Sequence, residues 1–196
     1  RYSFCKGIKN KILSLIILSF HVIFLHLSYC FPHLYISTNM TLNEQIAKQL
    51  KDLFLSGQWI GTNLNLKAQL DDVDIDMANT KFGSLNTIAL LAFHLNYYLE
   101  GVMNVFKGGT LDIRDKYSYD MPPITSQHEW EIMRENIYRN AEYLVYLVEQ
   151  MPTSQLNDAF TDEKYGTYLR NLMGILEHSY YHLGQIVLIK KILREK

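Results

Sequence analysis

The sequence predicts an all-α fold, a four-helix bundle preceded by an apolar N-terminal leader, and three observations predict it. Apolar residues recur at helical spacing in four separate segments. Capping boxes, glycines and a proline mark where those segments start and stop. No stretch alternates with period two for long enough to build a sheet, and nothing repeats internally. At 196 residues the chain can bury a real core, and its four prolines and ten glycines are few enough for long helices. A formal net charge of −1 gives no electrostatic reason to expect nucleic acid or an anionic membrane as a partner.

Residues 1–39 are unlike the rest. Lys6, Lys9 and Lys11 precede an apolar run from Ile12 to Leu27, interrupted only by Ser14, Ser19, His21 and His26. That is the layout of a signal peptide or signal anchor. Against it, no small-residue cleavage site follows, the run carries two histidines, and Tyr29 before Cys30 spoils a lipoprotein-type site. The preferred reading is an over-extended gene start, because Met40 opens a segment with a clean helix start. A chain starting there is expected to be cytoplasmic; anchoring or export is expected only if residues 1–39 are expressed. Cys5 and Cys30 both lie in the leader, so residues 40–196 have no disulfide, thiol nucleophile or thiolate ligand. A metal held there needs nitrogen or oxygen ligands.

In residues 40–196 the elements follow in order. Thr41-Leu42-Asn43-Glu44 is a capping box, and Leu42, Ile46, Leu50, Leu53 and Phe54 then recur at helical spacing. From Gly57 to Gly83 the chain reads as the frayed end of that helix and a connection, although Trp59, Leu64, Leu66 and Leu70 could extend it. A second helix spans Ser84 to Phe106, with Ile88, Leu91, Leu95, Tyr98, Val102 and Phe106 on one apolar stripe; Gly108-Gly109 ends it. After a loop through Pro122-Pro123, a second capping box, Ser126-Gln127-His128-Glu129, opens a third helix that buries Trp130, Met133, Ile137, Leu144, Leu147 and Met151. Pro152 stops it. A fourth helix runs from about Thr167 to Glu195, with an inward face of Gly174, Ile175, His178, His182, Gln185, Ile186 and Ile189.

The chemistry lies on the second and fourth helices. His178 and His182 are four residues apart, so they share a face one turn, about 6 Å, along the axis and can grip one ion together. His94 sits three after Leu91 and four before Tyr98, again on the apolar side. Burying three imidazoles costs free energy unless their nitrogens find partners, and a shared metal ion supplies them. Taken singly, each is better read as a core histidine bonded to a carbonyl or carboxylate. The i, i+4 pair, and the placing of three of the four histidines of residues 40–196 on inward positions, favour a metal site of catalytic type with an open position. The fourth, His128, falls in a first helical turn and is expected to be solvated.

Sharper motifs fail. His178-Ser179-Tyr180-Tyr181-His182 lacks the glutamate of a zincin, and Glu177 points about 100° away from His178, toward the surface. Neither histidine has a glutamate three residues before it, which excludes the di-iron pattern. No phosphate loop or nucleophile elbow is present. The acidic run Asp71–Asp76 lacks the glycine and terminal glutamate of a calcium loop and reads as a solvated connection. Of the tyrosines beside the histidines, Tyr98 and Tyr181 are the candidates to line a pocket above the ion.

His94, followed on the fourth helix by a His-x-x-x-His-x-Gly-Gln run at His178, His182, Gly184 and Gln185, resembles the DinB/YfiT-like family. The resemblance covers residues 40–196 and not the leader. It implies a four-helix bundle in which His94, His178 and His182 ligate a divalent ion, zinc or nickel first, with iron and copper also suited to imidazole. Characterised members are thiol S-transferases and a thiol-dependent isomerase. The resemblance therefore implies a metal-dependent transferase or hydrolase acting on a small electrophilic substrate, with a low-molecular-weight thiol as partner, and an association into homodimers. The competing expectation is a non-enzymatic metal-binding or stress-related interaction module. Nucleic acid is not expected as a partner, nor a membrane if the chain starts at Met40.

Overall fold

Both capping boxes form. In the computed structural model, which describes residues 39–57 and 63–195, Glu44 accepts the Thr41 N–H at 2.7 Å while the Thr41 hydroxyl accepts the Glu44 N–H, opening α1 at Leu42–Lys51. A π-helical turn, Asp52–Ser56, finishes that helix. Two five-residue helices follow, α2 (Leu66–Leu70) capped by Asn65 and α3 (Ile75–Asn79) capped by Asp74. The Thr87 hydroxyl accepts the Leu90 N–H and starts α4 (Ile88–Phe106), four residues later than the expected start at Ser84. Ser126 and Glu129 cap α5 (Gln127–Gln150), and Thr167 caps α6 (Tyr168–Arg194). Among the described residues the protein is all-helical, with six α-helices, no strand and one isolated bridge between Ala159 and Thr167. No helix there is long and apolar enough to cross a membrane. Residues 1–38, and with them almost all of the leader and both cysteines, lie outside the described residues, as does Trp59.

The four longer helices pack in a closed order: α1 against α5, α5 against α4, α4 against α6, and α6 back against α1. Their shared interior holds Leu50, Phe54, Leu91, Leu95, Ile137 and Ile186, all essentially inaccessible to water. Polar pins cross the layers. Buried Asn43 on α1 donates to the carbonyls of Val148 (3.2 Å) and Met151 (3.1 Å), satisfying groups that the end of α5 leaves without helical partners. Trp130, fully buried, donates its indole N–H to the Val73 carbonyl at 2.7 Å.

One expectation needs correcting. The stretch 63–83 is not simply a frayed end, because Asn65 and Asp74 nucleate α2 and α3, whose Leu66, Leu70 and Ala78 are buried. Leu64, by contrast, remains 48% exposed. The acidic run is exposed, as expected of a solvated connection, with Asp71 and Asp72 about half accessible, and it also makes specific bonds. Asp74 is a helix cap, Asp71 accepts from the Tyr138 hydroxyl at 2.9 Å, and Asp72 pairs with Arg194 and with the buried ammonium of Lys190, which also donates to the Gln69 carbonyl. A cation taken out of water needs such partners, and the carboxylates are there to supply them.

Candidate metal centre

α4 and α6 run side by side, and two turns into α4 the stripe that buries Leu91 and Leu95 turns His94 toward α6. One turn of α6 brings His178 and His182 to meet it. The Nε2 atoms of His94 and His178 lie 3.0 Å apart, and one nitrogen from each of the three rings falls within 4.8 Å of the others. The ring centroids are separated by 4.9 Å (His94–His178), 4.7 Å (His94–His182) and 4.5 Å (His178–His182). His94 and His182 are buried and His178 is half-buried.

Neighbours aim two of the rings. His94 Nδ1 is 3.2 Å from the Ser118 carbonyl, which can only accept, so the proton sits on Nδ1 and the Nε2 lone pair faces the trio. Gln185 donates its amide to the Tyr181 hydroxyl at 3.1 Å, which leaves its carbonyl oxygen to accept His182 Nδ1–H at 2.7 Å. The Gln185 of the His-x-Gly-Gln run is thus the residue that fixes His182. Ser118 arrives on a loop clamped to α4. The Tyr97 hydroxyl donates to the Arg114 carbonyl at 3.0 Å and accepts the Arg114 N–H, and Ile113 seats on Gly101, where a Cβ would fall 2.4 Å from its methyl carbon. The same loop stacks Tyr119 on His94 (4.1 Å, 12° between planes) and sets Asp115 against the Tyr98 hydroxyl.

The environment keeps the imidazoles neutral. Burial lowers the pKa of all three. His178 falls furthest, to about 4, pushed down by burial first and then by the neighbouring His182 and His94; Asp115 opposes both this and the smaller drop at His94. Neutral imidazole is the form that ligates. The donor set among the described residues, three uncharged nitrogens and no thiolate, suits a divalent ion: the His94–His178 Nε2 pair has about the 3.0–3.4 Å separation expected of two nitrogens bound at ~2.1 Å to one ion, and the third nitrogen, within 4.8 Å, needs only a small shift to join them.

The lowered His178 pKa has a consequence in the metal-free protein. The unfolded chain takes up a proton near the ordinary 6.5, and the folded one only near 4. Stability is therefore complete above pH 6.5 and lost as pH falls toward 4, by about 2 kcal/mol after allowance for partial exposure. Urea midpoints measured in chelator across that range check this, and a His178→Leu variant is expected to show a flatter profile.

The trio forms one end of a cleft of about 940 Å³. Tyr98 and Tyr181 line it, as expected from sequence, with Val102, Leu111, Ile113 and Ile175 as its apolar wall and Asp115, Lys164 and Arg170 among its charged groups. His128 is exposed at the start of α5, outside the three-histidine group, and Glu177 is exposed too. Sequence reading missed Asp115, Ser118, Tyr119 and Arg170. Arg170 alone carried a signal, since Arg170, Gly174, His178 and His182 follow one another at steps of four. Fold and site together define an all-α protein with a three-histidine group able to hold a metal ion. Compared with family models, curated proteins and solved structures, the chain finds no match in any of the three.

Proposed function

We propose that residues 40–196 are a four-helix bundle of the DinB/YfiT-like type, and that they form a metal-dependent transferase or hydrolase acting on a small electrophile, with a low-molecular-weight thiol as the first cosubstrate to try. The observation that carries this reading is the convergence of His94, His178 and His182 at the end of a cleft large enough for a small molecule. The three histidines would hold a divalent ion, zinc or nickel first. When bound, such an ion lowers the pKa of a coordinated water or thiol and so makes a nucleophile near neutral pH.

The chain's own groups have separate tasks. Ser118 and Gln185 hold the proton on the outer nitrogens of His94 and His182, which keeps the inner nitrogens free as donors of electron pairs. The Tyr98 hydroxyl, whose pKa is pushed up to about 12 by burial and by its bond to Asp115, keeps its proton throughout the neutral range. The apolar wall excludes water from a bound substrate. The absence of cysteine from residues 40–196 is consistent with a thiol brought in from outside.

The test is turnover of a chromogenic electrophile with a panel of small thiols by zinc- or nickel-loaded protein. Activity above the uncatalysed rate that His178→Ala abolishes supports the reading; metal held without turnover of any pair favours the second. That second reading, a metal-binding or interaction module without catalysis, draws on the 3.0 Å His94–His178 contact, which is also a good hydrogen bond between two imidazoles.

A further inference from the structure

Arg170, Gly174, His178 and His182 stand at successive steps of four along α6, and all four line the cleft. Residues four apart drift only about 40° round a helix, so the row is a single winding ridge. The Arg170 side chain runs along α6 toward its C-terminal end, passing Gly174 on the side of Glu177. Its Nη1 would stand 3.2 Å from a Cβ at Gly174, and 3.9 Å from the Glu177 carboxylate. Arginine side chains on helices ordinarily lean the other way, toward the N-terminus. Gly174 is what leaves room for this path.

The guanidinium is thereby delivered about one helical turn, roughly 5.4 Å along the axis, short of His178. Its ion pair with Glu177 is long and both partners are 67% exposed, so the fork retains donors for a ligand. Of the other charges lining the cleft, Lys164 is paired with Asp162 at 3.3 Å, Asp115 is engaged by the Tyr98 hydroxyl near the histidines, and Glu163 lies on the same 3₁₀ turn as Lys164. Between guanidinium and trio the wall is Val102, Leu111, Ile113 and Ile175.

We propose that Arg170, laid over Gly174, is the carboxylate-recognising end of this cleft, so that the site takes a small carboxylate whose reacting group lies a few bonds from its charge. The proposal rests on the reading of the histidine trio as a metal site. It also names the substrate class: anionic, short, with an apolar middle and a planar, bidentate acceptor that arginine's fork matches.

The test is calorimetric titration of zinc-loaded, full-length protein with 3-mercaptopropionate and with its neutral amide, 3-mercaptopropionamide. Wild type is expected to bind the carboxylate about tenfold more tightly at low ionic strength, with the preference shrinking in high salt. Arg170→Gln is expected to erase the preference while leaving zinc content unchanged; Gly174→Leu, which fills the path of the guanidinium, is expected to reduce it. Zinc held with no carboxylate preference in wild type, or a preference that survives in Arg170→Gln, overturns this proposal alone. Wild type that holds no zinc overturns both it and the metal reading beneath it.

Discussion

Replacing His178 and His182 together by alanine is expected to remove zinc binding from the physiological range, the largest single effect that this structure implies. Two of three ligands disappear, leaving His94 as one imidazole on its Ser118 tether. Removing a group that merely orients a ligand already costs 10–100-fold in metal affinity, which is the loss expected for Gln185→Leu. Removing the ligands themselves must cost more. Competition with a chromophoric chelator measures all three proteins on one scale, and the order wild type, Gln185→Leu, double alanine is the expected one. Equal affinities for wild type and the double variant would place the metal elsewhere.

The largest effect on stability is expected at Trp130. Its side chain is fully buried where the acidic connection crosses α5, and its indole N–H is bonded to the Val73 carbonyl. Trp130→Ala leaves a cavity and orphans that carbonyl, for a loss of about 3–5 kcal/mol in urea unfolding. Trp130→Phe keeps most of the volume and gives up the bond, so about 1–2 kcal/mol is expected. The residue lies outside the histidine cleft, so zinc affinity is expected to change little in either variant that folds.

How much of this was legible beforehand depends on the range of the interaction. Local signals read well. Thr41–Glu44 and Ser126–Glu129 form the boxes that their spacing implies, and the periodic stripes of α4 and α6 carry His94, His178 and His182 to one place. The pair His178 and His182 is geometry within a single helix, and needs no knowledge of the fold. Interactions that depend on chain reversal did not read. Asp72 is half exposed, as a solvated charge would be, but its role as the partner of Lys190 shows only when α6 is laid beside it. Ser118 contributes only a backbone carbonyl, which no side-chain pattern can announce, and Ile113 finds Gly101 only because the loop after α4 doubles back along that helix. Arg170 lies between the two cases: its spacing from the histidines was visible, whereas the direction its side chain takes over Gly174 was not.

The most direct test of the central claim, that three helical histidines form a metal centre, is elemental mass spectrometry on protein purified without chelator and offered zinc and nickel, beside the His178→Ala/His182→Ala variant. Close to one ion per chain is expected in the parent and little in the variant. A parent that holds no metal would contradict the claim, and the trio would then be a set of core histidines held by Ser118, Gln185 and one another.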